Sequence, residues 1–136
     1  MIKPIVHDTF FLSRKSDSAT TEDLQVARDL RDTLSAHRAE CVGMAANMIG
    51  YDKRIIIVSL GMFDMVMLNP VIVKKSGSFE TEEGCLSLSG VRKTTRYQKI
   101  TVRYQDEQMK PHTQEFTGWT AQIIQHECDH LEGILI

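Results

Sequence analysis

Residues 126–130 read His-Glu-Cys-Asp-His, which matches the pattern H-E-x-x-H inside a stretch that is predicted to be helical. Two histidines four positions apart lie on one face of a helix, so the imidazoles of His126 and His130 can reach one metal ion. Glu127 lies about 100° further around that helix, where its carboxylate can reach a metal-bound water. A pair of helical histidines also occurs on ordinary protein surfaces, so a third ligand is needed to identify a metal site.

The position of the motif predicts where the third ligand lies. Only six residues follow His130, and Glu132 among them falls about 200° away around the same helix. We therefore expect an upstream ligand, for which the candidates are three histidines and two cysteines: His7, His37, His112, Cys41 and Cys85. Cys85 stands out because it follows Gly84, which lets the backbone approach another group closely. A thiolate is also a good ligand for zinc or iron(II).

The helix that carries the motif is predicted over about residues 120–132, and its first turns are apolar nearly all round. Ala121, Ile124 and Cys128 follow one apolar line, while Ile123 lies near the histidine face. A helix without a polar face is buried rather than laid on a surface. We therefore expect this helix to lie in the middle of the fold, with Gly133 as its C-terminal stop.

A helix and several strands are predicted outside this motif. Thr20 with Asp23 resembles a capping pair, and it predicts a helix that runs to about Arg38. The strand predictions cover residues 54–60, 64–75, 99–104 and 112–116. Pro70 marks an edge or a bend, and residues 76–78 give a turn signal. These elements predict an α+β fold, with antiparallel β-sheets packed around a central C-terminal metal-binding helix and one N-terminal helix.

Composition and charge narrow the classes of function. The 136 residues are 42% hydrophobic and 25% charged, which suits a single domain over residues 1–136. The net charge of −2 gives no electrostatic reason to bind nucleic acid or an anionic membrane. Three scattered cysteines argue against a disulfide framework, and a cysteine thiolate used as an iron ligand fits a reducing cytoplasm. We also expect no signal peptide and no membrane span.

Three stretches of this chain resemble the signature motifs of peptide deformylases. Two are close matches, Glu83-Gly84-Cys85-Leu86-Ser87 and Gln125-His126-Glu127-x-x-His130-Leu131-x-Gly133, and the third is Cys41–Met48, where the family reads G-x-G-x-A-A-x-Q. Members of this family remove the formyl group from the N-terminal formylmethionine of nascent bacterial proteins. The resemblance implies the deformylase fold, this hydrolytic activity, and formylated peptide N-termini as the partners.

The resemblance also implies roles for individual residues. Cys85, His126 and His130 correspond to the ligands of one divalent metal, usually iron(II) in the cell, although zinc, nickel and cobalt suit the same donors. Glu127 corresponds to the general acid and base. The backbone N–H of Leu86 corresponds to an oxyanion-hole donor. A further stretch, Val42 with Gly43, corresponds to the segment whose backbone pairs with the peptide substrate like an added strand.

The first motif departs from the family pattern at two positions. Cys41 replaces a glycine, and Met48 replaces a glutamine whose side chain donates a hydrogen bond to the oxyanion. A thioether cannot donate, and losing one such donor typically costs about 10²–10³ in rate. Reduced deformylase activity is therefore expected. Two alternatives stay open: a deformylase-like paralogue that mainly binds peptide N-termini, and a small metallopeptidase.

Two further hypotheses concern the surroundings of the predicted site. Trp119 and Ile123 lie just upstream of His126 and are candidate walls of a pocket for a methionine side chain. Arg96 is a candidate partner for Glu83 that would fix the cysteine loop, with a plain surface charge as the alternative.

Overall fold

Three α-helices and five β-strands form the computed structural model, which describes all residues from 1 to 136. The helices are α1 (Thr9–Leu12), α2 (Leu24–Ala36) and α3 (Gly118–Leu131). The strands are β1 (Gly43–Ala45), β2 (Ile55–Ser59), β3 (Asp64–Cys85), β4 (Leu88–Gln105) and β5 (Pro111–Thr117). None of the helices has both the length and the apolar character that a membrane crossing requires.

The strands form one antiparallel sheet in the order β1-β2-β3-β4-β5, so β1 lies at one edge and β5 at the other. The longest pairing joins β3 to β4 in a hairpin that turns between Cys85 and Leu88. The cysteine motif therefore lies at the tip of this hairpin. The expected α+β class is confirmed, although one sheet forms where several were expected.

Helix α3 packs against β1, β2, β4 and β5. Its buried residues come from every side of the helix: Ala121, Ile123, Ile124, Gln125, His126, Glu127, His130 and Leu131. Because buried residues lie all round the helix, α3 lies inside the fold and the histidine motif lies in the interior. This confirms the prediction of a buried, central helix, and Gly133 follows its end with a φ of 76°.

The predicted N-terminal helix is also present. Thr20 and Asp23 form a capping box at a short 3₁₀ turn that leads directly into α2. Ala27, Leu30 and Leu34 lie on one stripe and are fully buried. The helix ends at Ala36, slightly before the expected end, since the backbone at the following residue leaves the helical region. This stripe packs α2 against β2.

The turn predicted at residues 76–78 is wrong, because these residues lie inside β3. Ser76 pairs with Lys99 and Ser78 with Tyr97, while Gly77 between them adopts a φ of 74° without changing the register. The outer half of β3 is mostly exposed and polar, so no apolar alternation marks it as a strand. Its pairing with β4 supplies the hydrogen bonds and side-chain contacts that hold it extended.

Pro70 marks a bend in an inner strand rather than an edge. The register between β3 and β4 shifts between Leu68 and Val71, which is how a bulge accommodates a residue without a backbone N–H. Asn69, beside it, adopts a φ of 52°, and its side chain exchanges two hydrogen bonds with the backbone of Ala19. The bend thus fastens the segment before α2 to the sheet.

Candidate metal centre

Three potential metal donors meet where the β3–β4 hairpin reaches α3. The Sγ atom of Cys85 lies 3.5 Å from Nε2 of His130, and that nitrogen lies 3.2 Å from Nε2 of His126. One donor atom from each residue lies within 4.8 Å of the other two. A thiolate and two imidazoles are a donor set that fits zinc or iron(II) and leaves a fourth position open.

The other candidate ligands lie elsewhere. His7 Nδ1 contacts the carbonyl of Ser87, His37 contacts Glu40, and His112 contacts Asp106. Cys41 lies near the centre but does not belong to the cluster of three donors. The structure thus brings together Cys85, His126 and His130 and leaves the remaining upstream candidates apart.

Glu83 orients one of the two histidine rings. Its Oε1 accepts a hydrogen bond of 2.8 Å from Nδ1 of His126, which directs Nε2 of that ring towards the donor cluster. Arg96 and Gln122 donate to the same carboxylate at 2.7 and 2.9 Å. Although burial acts to raise it, the pKa of Glu83 falls to about 2, because His126, Arg96 and Gln122 all hydrogen-bond its ionised form.

Arg96 connects three elements around the site. It is 3% exposed, and it donates to Glu83 of β3 and, at 2.7 Å, to Oδ2 of Asp129 on α3. Burial acts to lower the pKa of Arg96, but the two carboxylates outweigh it and raise that pKa. The hypothesis that Arg96 pairs with Glu83 is confirmed, and the alternative of a plain surface charge is wrong.

The second histidine is held differently. Asn47 donates through Nδ2 to the carbonyl of His130 at 2.9 Å, which fixes the backbone of that turn of α3. Burial and the neighbouring His126 both lower the pKa of His130. A lowered pKa favours the neutral ring, which is the form in which an imidazole can bind a metal.

Glu127 is a buried acid without a partner for one oxygen. It is 4% exposed, and its Oε1 accepts no hydrogen bond. Burial raises its pKa to about 7, His126 opposes that rise, and Glu83 adds to it. A buried oxygen of this kind needs a donor, and water in the open position beside the donor cluster would supply one. A pKa near 7 also suits a group that takes up and releases a proton.

Gly43 of β1 passes so close to Glu127 that only glycine fits there. A Cβ atom at Gly43 would lie 2.7 Å from Cγ2 of Ile123 and 3.0 Å from Oε2 of Glu127. The family pattern has glycine at this position, and the structure supplies the physical reason. The edge strand and the acid therefore face each other across van der Waals distance.

A cavity of about 470 Å³ opens beside the donor cluster. Val42 and Gly43 line one side, Gly84 to Leu86 line another, and Trp119 and Ile123 extend from α3. These include the residues expected to bind substrate, to donate to the oxyanion and to form the pocket wall. The cavity thus brings the three family motifs to one place.

The side of β1 that faces away from β2 is free of strand partners. Ser59 donates to the carbonyl of Val42 at 2.8 Å, and Val42 lies directly before the pair formed by Gly43 and Val58. Since hydrogen-bonded and non-hydrogen-bonded pairs alternate in antiparallel sheets, the N–H and C=O of Gly43 point away from β2. An extended peptide could pair with these groups.

The two departures from the family pattern both line this cavity. Met48 is 1% exposed, and its Sδ accepts a hydrogen bond of 3.5 Å from the N–H of Ala45. Its neighbour Asn47 is engaged with His130, so it does not replace the absent glutamine. Cys41 donates from Sγ to the carbonyl of Gly43 at 2.8 Å, and burial raises the pKa of this thiol to about 12.

Sequence reasoning missed several residues that support the site. Gln122, Asp129 and Asn47 carry no motif signal, because their contacts depend on how α3 meets the hairpin and the 3₁₀ turn at residues 46–49. Gln125, one residue before the first histidine, exchanges two hydrogen bonds with the backbone of Tyr97 on β4. Gln125 belongs to the histidine motif, but its contact with Tyr97, like the contacts of the other three residues, could be found only by predicting which elements touch.

Comparisons with known proteins agree with this geometry. A family profile described as polypeptide deformylase matches residues 3–136. The chain is 56% identical over 136 residues to a peptide deformylase of Clostridium beijerinckii, covering 100% of both chains. Its fold is similar to the crystal structure of a peptide deformylase from Legionella pneumophila, with a TM-score of 0.90, 34% identity, and 99% of this chain and 83% of that chain covered.

A second solved structure contains a bound peptide. It is the Met-Ala-Ser complex of a class I type b peptide deformylase from Acinetobacter baumannii, with a TM-score of 0.89 and 30% identity. The similarity covers 99% of this chain and 97% of that one. With a profile match over nearly all residues and a close full-length relative, the chain belongs to the peptide deformylase family.

Proposed function

We propose that this protein is a metal-dependent hydrolase that removes the N-formyl group from formylmethionine at the N-terminus of nascent proteins. The observation that carries the proposal is a buried, partnerless Glu127 oxygen next to a cluster of one cysteine and two histidines. Both groups open onto one cavity. Family membership of the chain makes deformylation the reaction that best fits this arrangement.

In this proposal Cys85, His126 and His130 hold one divalent ion, with iron(II) favoured and zinc, nickel or cobalt able to use the same donors. The bound ion supplies Lewis acidity that makes water nucleophilic near neutral pH. Glu83 accepts a hydrogen bond from Nδ1–H of His126 and keeps that ring in the orientation that ligation requires.

Glu127 moves the protons of the reaction. Its carboxylate takes a proton from the attacking water and passes it to the amine that leaves when the formyl group is removed. The N–H of Leu86 donates to the oxyanion that develops on the formyl oxygen. Met48 cannot add a second donor there, so this oxyanion is stabilised less than in a site with the family's glutamine.

Substrate binding uses the free side of β1. The Val42–Gly43 stretch binds the extended N-terminal segment of the peptide in the manner of an added strand, through the outward-facing N–H and C=O of Gly43. Trp119 and Ile123 wall the part of the cavity that receives the methionine side chain. The proposed partners are therefore formylated N-termini of nascent chains, with no nucleic acid and no membrane involved.

We place this activity in the bacterial cytoplasm, where nascent chains begin with formylmethionine and thiolate ligands stay reduced. The net charge of −2 supports neither nucleic acid nor an anionic membrane as a partner. A single domain over residues 1–136 would carry the whole activity.

A second candidate is a deformylase-like protein that binds peptide N-termini with weak turnover. The sulfur of Met48 favours it, because a hydrogen-bond acceptor occupies the position of an expected donor. The two candidates differ in whether bound formyl peptide is converted to product.

The deciding experiment uses protein prepared anaerobically with iron(II), or loaded with nickel, and formyl-Met-Ala-Ser as substrate. We expect release of formate, loss of nearly all turnover in Glu127→Gln, and no cleavage of internal peptide bonds. Calorimetric binding of formyl-Met-Ala-Ser without formate release would support the second candidate. Cleavage of internal bonds would overturn both in favour of a peptidase.

A further inference from the structure

Two sulfur-containing side chains form hydrogen bonds with outward-facing backbone groups of β1. Cys41 Sγ donates to the carbonyl of Gly43 at 2.8 Å, and the N–H of Ala45 donates to Sδ of Met48 at 3.5 Å. By the alternation of an antiparallel pair, Gly43 and Ala45 both turn their backbone groups away from β2. Both sulfurs belong to residues at which the chain departs from the family pattern.

Cys41 is the more exposed of the two residues, so its sulfur is the one that a peptide could reach. Its side chain is half-buried and lines the cavity together with Gly43 and Glu127. A peptide that pairs with β1 needs an acceptor for one of its N–H groups. The outward-facing acceptor is the Gly43 carbonyl, which already accepts a hydrogen bond from the Cys41 thiol. A thiol is a weak donor, so a peptide N–H, which is a stronger one, can replace it.

We propose that Cys41 lowers the affinity for the peptide, because its thiol stays hydrogen-bonded to the Gly43 carbonyl until the peptide backbone displaces it. This inference rests on the proposed function, because it assigns the displacing group to the N-terminal segment of the substrate. The thiol keeps a buried carbonyl hydrogen-bonded when no peptide is present. Each binding event must then break one hydrogen bond before it makes another, so the residue weakens binding.

Kinetics of three variants test the displacement. We expect Cys41→Ala to lower KM for formyl-Met-Ala-Ser about three- to tenfold, the size of one net hydrogen bond, with a smaller change in kcat than in KM. Cys41→Ser keeps a hydroxyl donor and should hold KM at or above the original value. Cys128→Ala is the matched control. It removes a thiol from the face of α3 opposite His126 and His130, outside the cavity lining, and should leave KM unchanged.

A spectroscopic measurement follows the thiol directly and needs no turnover. The Raman S–H stretching band of Cys41, assigned by its loss in Cys41→Ala, should shift when the metal-loaded protein is saturated with Met-Ala-Ser. The band of Cys128 should not move. The shift reports that the thiol has left the carbonyl, which a purely structural role for Cys41 would not produce.

Three results would each overturn the inference. KM in Cys41→Ala could stay unchanged or rise, KM in Cys41→Ser could fall as much as in Cys41→Ala, or the S–H band could keep its frequency when the peptide binds. Failure of the proposed function is a separate outcome, because it appears as absent formate release from the unmodified protein. In that case the Raman shift with Met-Ala-Ser still decides whether a peptide displaces the thiol.

Discussion

Single residues set the chemistry of this site. The metal donors show which parts of that chemistry can be predicted from the sequence. His126, Glu127 and His130 are recognisable because a helix fixes their relative directions whatever surrounds it. Cys85 was harder to choose among five upstream candidates, since nothing local to it says that a hairpin tip will meet α3. The stretch Glu83–Ser87 resembles a family motif, and this resemblance supplied the long-range information.

At the residue scale, Met48 gives the clearest prediction. Met48→Gln should raise kcat for formyl-Met-Ala-Ser about 10²- to 10³-fold, because an amide donor is restored next to the oxyanion. Steady-state assay of the iron or nickel form measures it. Met48→Leu is the matched control, since it keeps an apolar side chain and adds no donor. An equal gain in that control would assign the effect to packing instead.

Gly43 gives a second prediction at this scale. Gly43→Ala should cost about 1–3 kcal/mol in the free energy of unfolding, as overpacking does, because its Cβ would meet Ile123 at 2.7 Å. Urea denaturation measures the loss. At Gly84 a new Cβ would meet nothing closer than 3.6 Å, so Gly84→Ala should cost clearly less, and equal costs would contradict the steric argument.

Helices and strands hold these residues in position. Among them, the β3–β4 hairpin is the element that the sequence did not predict correctly. The alternation of Ile100, Val102 and Tyr104 identified the inner part of β4, because those side chains are buried. The outer halves of both strands are largely exposed, so their residues carry no burial signal. Their strand structure follows from pairing across the hairpin, as in the hydrogen bond between Thr95 and Glu80, and not from local preference.

Arg96 provides the prediction at the scale of elements, since it joins β4 to β3 and α3. Arg96→Met should cost about 3–5 kcal/mol in the free energy of unfolding, because it leaves the carboxylates of Glu83 and Asp129 without their buried partner. It should also weaken metal affinity about 10- to 100-fold, since His126 loses its fixed orientation. Chemical denaturation and competition with a chelator measure the two effects.

An exposed ion pair serves as the comparison for Arg96. Lys99 and Glu115 are about half exposed and lie 3.4 Å apart across β4 and β5. Lys99→Met should cost less than about 1 kcal/mol, as exposed pairs do, and should not alter metal affinity. If Lys99→Met and Arg96→Met lost the same free energy of unfolding, the burial of Arg96 with Glu83 and Asp129 would not explain the effect.

An ion pair links the residues after helix α2 to the sheet, and its contribution to the stability of the whole molecule depends on pH. Arg38, after α2, donates to Oδ1 of Asp64 at the start of β3 at 3.0 Å. The hydrogen bond from Arg38 lowers the pKa of Asp64 below its usual 3.8. Because the folded-state pKa is depressed, this stabilisation is present above pH 3.8 and is lost as the pH falls through the lower folded value.

Replacement of Asp64 should therefore matter at neutral pH and not in acid. We expect Asp64→Asn to have a lower Tm than the unmodified protein at about pH 6, with the difference shrinking steadily towards about pH 2. Thermal unfolding across this range measures it. Arg38→Gln should behave in the same way, and combining both changes should add little. A difference in Tm that stays constant with pH would contradict the assignment.

The edge strand β1 has a consequence for the behaviour of the molecule in a crowded solution. An open sheet edge can recruit a strand from another chain and so begin aggregation. Here the edge is only three residues long, and two of its outward groups are already bonded within the chain. Three residues offer a long foreign strand too few backbone groups to hold it by pairing alone, so an edge that can bind a short peptide beside the donor cluster is still a poor template for fibril growth.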